Sequence, residues 1–143
     1  MASLPENVLN LLKNLTPSVV ATAKENKPYT TFITWLIAKD EKTIRFAVNK
    51  DSLTANNIKE NPYVSIEVFG NGIACSISGS AKVIKDEIET ISFPVSVIEV
   101  NVENVVDNLF PGGTVTGEIP FKHTGDIEKA EDLDKKVLEA LTE

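Results

Sequence analysis

The sequence has very few residues that could form covalent or metal-bound cross-links. It contains one cysteine, Cys75, and one histidine, His123, among 143 residues. A single cysteine forms no disulfide within the chain, and one cysteine with one histidine cannot build a His/Cys metal cluster. This scarcity favours a reducing compartment. We therefore expect a cytoplasmic protein without a metal site.

Positive charge is also scarce. The chain has 14 Lys and Arg residues against 21 Asp and Glu residues, a net charge of -7, and Arg45 is its only arginine. Nucleic-acid binding depends on clustered Lys and Arg, so we expect no nucleic-acid partner. No apolar run is long enough to span a bilayer, and the first residues lack the pattern of a signal peptide. We therefore expect no association with a membrane.

The hydrophobic pattern predicts a mainly β protein with flanking helices, in one domain over residues 1–143. The predicted strands cover residues 18–23, 29–38, 43–48, 63–69, 73–84 and 95–106. The predicted helices cover residues 4–15, 53–60 and 127–141, with one or two helical turns over 86–93. Six short strands at hairpin spacing predict an antiparallel six-stranded barrel over roughly 18–106. An irregular arm and the last helix follow over 107–143.

Two of the predicted strands have additional features. The strand over 29–38 has apolar or aromatic residues on both faces, which predicts that it is covered on both sides. Gly79 interrupts the strand over 73–84, and a glycine inside a strand is typical of a bulge or a sharp bend.

A polar stretch links the third predicted strand to the second predicted helix. Asn49, Lys50, Ser52 and Thr54 lie in the turn and the first helical turn. The unpaired N–H groups and the dipole of a helix favour an anion at its start, and here Lys50 adds a charge while Ser52 and Thr54 add hydroxyl donors. The same residues also suit an ordinary N-cap made by Asp51 or Ser52. The stretch therefore predicts either a phosphate site or a simple cap.

The order of these segments resembles the FMN-binding split β-barrel superfamily, which includes pyridoxamine-phosphate-oxidase-like proteins and small bacterial FMN-binding proteins. The likeness covers roughly residues 4–106. It rests on Thr34-Trp35, on Thr54 and Asn57, on Asn61-Pro62-Tyr63-Val64-Ser65 and on Ile77-Ser78-Gly79-Ser80-Ala81-Lys82-Val83. The resemblance implies a split-barrel homodimer with FMN in a groove at the interface.

The resemblance also implies which residues hold the cofactor. The strand over 30–35 would run along the isoalloxazine ring, with Thr34 and Trp35 facing it, and the turn over 49–54 would hold the phosphate. The implied cofactor-binding residues are Thr30, Thr31, Phe32, Ile33, Thr34, Trp35, Asn49, Lys50, Ser52, Thr54 and Asn57. A partly aromatic wall with polar groups at its edge suits a flat heterocycle.

Several of these residues also suit a purely structural role. Trp35 fits an ordinary core or interface tryptophan, Asn57 fits a structural asparagine, and Phe32 and Ile33 fit a hydrophobic core. His123, in the arm, suits either an acid or base beside the flavin or an exposed loop residue.

We expect an FMN-binding flavoprotein that acts as an oxidoreductase or an electron carrier. Its partners would be a small-molecule redox substrate or an electron-transfer protein, and its catalytic residues stay open. The alternative is a barrel of the same shape that binds haem, another small ligand or a protein partner, because a fold does not fix a function. The chain lacks the further basic residues and the Arg-bearing C-terminal segment of pyridoxamine-phosphate oxidases, so we do not expect vitamin B6 oxidation.

Overall fold

The computed structural model describes residues 3–143, so the first two residues of the predicted domain lie outside the described part. Its helices are α1 (Glu6–Leu11), α2 (Leu53–Glu60) and α3 (Ile127–Thr142). Its strands are β1 (Ser18–Lys24), β2 (Lys27–Ile33), β3 (Leu36–Asp40), β4 (Thr43–Asn49), β5 (Tyr63–Gly70), β6 (Ile73–Lys85) and β7 (Val95–Asp107). None of these helices, over the residues described, is long and apolar enough to cross a membrane.

The strands form one antiparallel sheet in the order β2-β1-β5-β6-β7-β4-β3. β2 and β3 follow each other in the chain but lie at opposite edges of this sheet. Only Thr34 and Trp35 separate them, so the sheet must curl until its two edges approach each other. The carbonyl oxygen of Trp35 accepts from Ala47 N of β4 at 3.0 Å. The result is a barrel that is split beside these two residues, and the predicted fold class is confirmed.

The prediction of one strand over 29–38, and with it the count of six strands, is wrong. β2 pairs with β1, whereas β3 pairs with β4, so the chain changes partners between Ile33 and Leu36. The sequence pattern continues through this break because β-branched and aromatic residues suit both strands. Coverage on both faces is also wrong for β2 in the described chain, where Tyr29 and Phe32 are exposed.

Helix α1 is shorter than the predicted helix over 4–15. After its last turn the chain lies along the outer edge of β3 instead. Leu12 O accepts from Ala38 N at 2.8 Å, and Thr16 N donates to Leu36 O at 3.1 Å. Sheet edges need such cover, and these contacts replace further helical hydrogen bonds.

The segment over 86–93 consists of turns and bends, so the prediction of helical turns there is wrong. Ile88 N donates to Val95 O at 2.9 Å, and Ser96 Oγ donates to Asp86 O at 2.6 Å. These backbone groups bond to the start of β7 instead of to a helical partner, and a backbone group bonded there is not available to a helix.

Two apolar clusters hold the molecule together. The larger lies inside the curled sheet and includes Phe46, Ile66, Ile77 and Ile98, all fully buried. The second joins the sheet to α3 and includes Ile37, Val95, Val137 and Leu141. The last helix is therefore attached to the outside of the barrel by apolar contacts, since burying such surface is the main stabilising term.

Candidate functional site

A cleft of about 290 Å³ opens where β2 and the residues after it face β4 and the start of α2. The change of partner at Thr34 and Trp35 brings these elements together. The cleft is lined by Tyr29, Thr31, Phe32, Ile33, Thr34, Trp35, Ala47, Val48, Asn49, Ser52 and Thr54. One wall is thus mainly apolar and aromatic, and one end is polar.

The cleft brings together eight of the eleven predicted cofactor-binding residues. These are Thr31, Phe32, Ile33, Thr34, Trp35, Asn49, Ser52 and Thr54. The other three, Thr30, Lys50 and Asn57, do not line it. Thr30 is an exposed residue of β2 opposite Ala21.

The polar end of the cleft is the first turn of α2. Ser52 caps the helix, because its Oγ accepts from Ala55 N at 3.1 Å. The N–H groups of Leu53 and Thr54 have no acceptor among residues 3–143. The cap therefore uses the N–H group of Ala55. Within the described residues it leaves the N–H groups of Leu53 and Thr54 without an acceptor, near the cleft that Thr54 lines. The predicted cap and the predicted anion site are thus compatible with each other.

Lys50 lies beside this turn in the sequence but is bound to a carboxylate. Its Nζ lies 3.0 Å from Glu87 Oε2. The hydrogen bond to Glu87 and its charge, with smaller contributions from Asp86 and Asp51, raise the pKa of Lys50 above its ordinary value. Lys50 is therefore a cation at neutral pH. An exposed ion pair is weak, so a dianionic ligand could compete with Glu87 for it.

Asn57 lies on the buried face of α2 and is 2% exposed. Its Nδ2 donates to Thr22 Oγ1 of β1 at 3.0 Å, while its Oδ1 has no partner among the described residues. These contacts join α2 to the sheet. The structural role that the sequence allowed for Asn57 therefore has a defined partner.

The structure also joins α3 and the arm to the cleft. Trp35 Nε1 donates to Asp134 Oδ1 at 2.8 Å, and His123 Nε2 lies 2.8 Å from Asp134 Oδ2. Phe121 packs between Phe32 and His123, with ring centroids 5.9 Å and 5.4 Å away. Sequence reasoning missed Asp134, because it is one of many acidic residues on α3 and lies 99 positions from Trp35.

Comparison with known proteins identifies the family of this chain. The sequence profile of the pyridoxamine 5'-phosphate oxidase family matches residues 4–107. No curated protein sequence matches the chain. The likeness to solved structures is at the level of the fold.

Three of these solved structures illustrate how similar the chain is to proteins of known structure. One is a Lactobacillus delbrueckii protein assigned as a pyridoxamine 5'-phosphate oxidase, at 21% identity and a TM-score of 0.63, with 74% of this chain and 95% of that chain covered. An F420 reductase matches at 18% identity and a TM-score of 0.61, with 72% and 98% covered. An FAD-binding protein from Mesorhizobium loti matches at 14% identity and a TM-score of 0.56, with 72% and 93% covered. By its sequence profile, the chain belongs to the pyridoxamine 5'-phosphate oxidase family.

Proposed function

We propose that the protein binds FMN in the cleft between β2 and α2 and uses it as an oxidoreductase or an electron carrier. The observation that carries this proposal is the composition of one continuous cleft. It joins an aromatic and apolar wall, with Phe32 and Trp35, to a helix start where two N–H groups have no acceptor within the described residues. A flat heterocycle with a phosphate tail needs both features.

The donor set fits the phosphate end of FMN. The Thr54 hydroxyl and the N–H groups of Leu53 and Thr54 are the donors at the helix start. Lys50 supplies the charge once a phosphate competes with Glu87. Ser52 contributes by fixing the helix start, because its own oxygen is already bonded to Ala55 N. Each such bond to a charged group is stronger than a neutral one.

The apolar end fits the ring. Trp35 is held by Asp134 and Phe32 by Phe121, so both aromatic side chains have fixed neighbours. A fixed wall lowers the entropy cost of binding a flat ligand. When bound, FMN would supply the electron-transfer chemistry, while these residues orient it and exclude water from one face.

We propose that a second copy of the chain completes the site. The cleft of about 290 Å³ is at the lower limit of the roughly 300–1,000 Å³ usual for small-molecule sites. It opens beside β2, whose outer edge is unpaired in the described chain and whose Tyr29 and Phe32 are exposed. A partner seated on β2 would cover both the strand edge and the open side of the cleft.

A ligand without phosphate is the second candidate. Arg45, the chain's only arginine, is bound to Glu99 at 3.1 Å and to backbone oxygens at the end of α3. The phosphate end of the cleft therefore has no arginine, and its nearest lysine is already paired. These features favour a barrel that holds an uncharged ligand in the same cleft.

The test is FMN titration of the purified protein, followed by flavin fluorescence. We expect one FMN per chain and a yellow protein. Lys50→Ala and Thr54→Val should each weaken binding about tenfold, the effect of losing one charge-assisted hydrogen bond. Glu87→Gln should tighten binding about threefold, because it releases Lys50 from its carboxylate.

Lys59→Ala is the matched control, since Lys59 is an exposed lysine in the last turn of α2. It should leave FMN affinity unchanged. A colourless protein that takes up no added FMN would overturn the proposal, and equal affinities for all four variants would move the phosphate elsewhere.

A further inference from the structure

A second cleft adjoins the first and has its own lining. It has a volume of about 270 Å³ and is lined by the arm, by Leu15 and Pro17 before β1, by Thr34 and by one residue of α3. Thr34 lines both clefts. The two clefts are therefore neighbours at the break between β2 and β3.

His123 is the group in this second cleft with usable chemistry. Its Nε2 lies 2.8 Å from Asp134 Oδ2, and an ionised carboxylate only accepts hydrogen bonds. Nε2 therefore carries the proton. In the neutral ring Nδ1 is then an acceptor, and it has no partner among residues 3–143. A carboxylate that fixes the tautomer and orientation of a histidine in this way is a common feature of reactive imidazoles.

Asp134 is itself held in place. Its other oxygen accepts from Trp35 Nε1 at 2.8 Å, so one carboxylate bridges the wall of the first cleft and the imidazole of the second. Phe121 packs edge to face against His123, at 5.4 Å and 85°. The ring of His123 is thus fixed by two contacts in an otherwise irregular arm.

The charges of the lining select the kind of ligand. Lys122 brings one positive charge, while Glu118 and Asp134 bring two negative charges. These three groups leave the lining net negative, which disfavours anionic ligands. Apolar surface comes from Leu15, Pro17, Ile119 and Phe121. The lining therefore suits an uncharged, partly apolar molecule that donates one hydrogen bond.

We propose that the second cleft binds a small neutral aromatic molecule with a hydroxyl group, which donates to His123 Nδ1 while its ring packs against Phe121. Asp134 is the positioning residue for this contact. Thr34 lines both clefts, so the ligand would lie next to the proposed flavin. Only that last assignment rests on the proposed function.

The chain offers two unique reporters for the test. It has one histidine and one tryptophan, so its NMR spectra contain one imidazole and one indole N–H signal. The probe is 4-cyanophenol, and benzonitrile is its matched control without the hydroxyl. We expect 4-cyanophenol to shift the His123 ring signals in a saturable way and to shift the Trp35 indole signal less. Benzonitrile should bind about tenfold more weakly, because it lacks the one hydrogen bond.

Three variants separate positioning from simple packing. His123→Gln should weaken 4-cyanophenol binding about tenfold, since the amide does not reproduce the fixed acceptor. Asp134→Asn should change the ¹⁵N shifts of His123, because an amide no longer enforces the Nε2–H tautomer. Thr124→Ala, next to His123 in the arm but outside the lining of the second cleft, should leave the affinity for 4-cyanophenol unchanged. If Asp134→Asn fails to fold, His123→Gln alone decides, because it lies in the arm outside every helix and strand.

The outcomes distinguish this proposal from the proposed function. Binding of 4-cyanophenol that His123→Gln weakens supports the second cleft, whether or not the protein takes up FMN. Equal affinities for 4-cyanophenol and benzonitrile, or no effect of His123→Gln, would overturn it even if FMN binds. His123→Gln should leave FMN affinity unchanged, because His123 does not line the first cleft.

Discussion

Asn57 fits either a contact to the cofactor or a structural contact, and the two roles predict different effects of its substitution on FMN affinity and on stability. It is buried and donates to Thr22, which is 3% exposed. Asn57→Ala should lower the free energy of unfolding by about 1–3 kcal/mol, because it leaves a buried hydroxyl without its donor. FMN affinity should not change. Urea denaturation and FMN titration of the same variant measure the two effects.

Thr22→Val supplies the control for Asn57. In a double-mutant cycle, the two substitutions should couple, since they remove the same hydrogen bond. Additive losses of stability would show that the bond contributes little. A tenfold loss of FMN affinity with unchanged stability would instead make Asn57 a ligand contact.

Cys75 gives a prediction on pH. It is 4% exposed, and burial, with the nearby charges of Glu67 and Asp107, raises the pKa of its thiol to about 11. In the unfolded chain the thiol ionises at a lower pH, so the unfolded state releases its proton first. The free energy of unfolding should therefore fall as the pH rises from about 9 to about 11, by at most about 3 kcal/mol.

Urea denaturation at several pH values measures the effect of Cys75. Lysines also titrate at alkaline pH, and carboxylates raise the pKa of Lys24, Lys50 and Lys85 above the ordinary lysine value. Cys75→Ala isolates the thiol, because the variant keeps those groups and loses only this one. The two proteins should diverge in slope between about pH 9 and about pH 11. Parallel curves would show that the thiol has the same pKa in both states.

At the scale of elements, the sequence predicts best where its local signals agree with the tertiary contacts. The bounds of α2, 53–60, are as predicted, because Ser52 caps its start and Asn61-Pro62 follows its end. The bulge at Gly79 is confirmed by the change of register between Ser78 and Gly79. In both cases one or two residues have a conformational requirement that the sequence shows directly.

The sequence predicts less well where backbone groups bond to distant strands. The segment after α1 and the segment over 86–93 bond to β3 and to β7, respectively, and neither contact leaves a local pattern. The break between β2 and β3 at Thr34 and Trp35 is missed for the same reason. The pairing of β2 with β1 and of β3 with β4 leaves no local pattern in the sequence either. The resemblance to a known family identified these two residues as important for the site, but only the topology shows that they separate two strands.

The bulge at Gly79 can be tested by substitution. A Cβ at this position would lie 1.9 Å from the carbonyl oxygen of Asn101, a backbone atom of the paired strand. Gly79→Ala should therefore lower the free energy of unfolding by about 3 kcal/mol or more, because β6 and β7 must move apart. Gly113→Ala is the control, since a Cβ there meets no atom within 4 Å. Thermal unfolding that is equal for the two variants would contradict the bulge.

At the scale of the whole molecule, the outer edge of β2 and the open side of the cleft lie side by side in the described chain. The outer edge of β2 is unpaired, and Phe32, 48% exposed, belongs both to this strand and to the cleft. Exposed strand edges with large apolar side chains are usually covered in stable proteins. A second copy on this face would cover the edge and complete the cleft, so assembly and cofactor binding should depend on each other.

Light scattering at micromolar concentration should therefore report a dimer, and Phe32→Asp should convert it to a monomer because a charge cannot be buried in that interface without a partner. The same variant should lose FMN. Phe93→Asp is the matched control: Phe93 is 42% exposed but lies in the loop before β7, so its substitution should leave both assembly and affinity unchanged. Because Phe32 also lines the cleft, the loss of FMN in this variant combines a missing ring with a missing partner. Dilution of the unaltered protein until the dimer dissociates isolates the effect of the partner, and it should also release FMN. A Phe32→Asp monomer that still binds FMN with full affinity would show that one chain holds the cofactor alone.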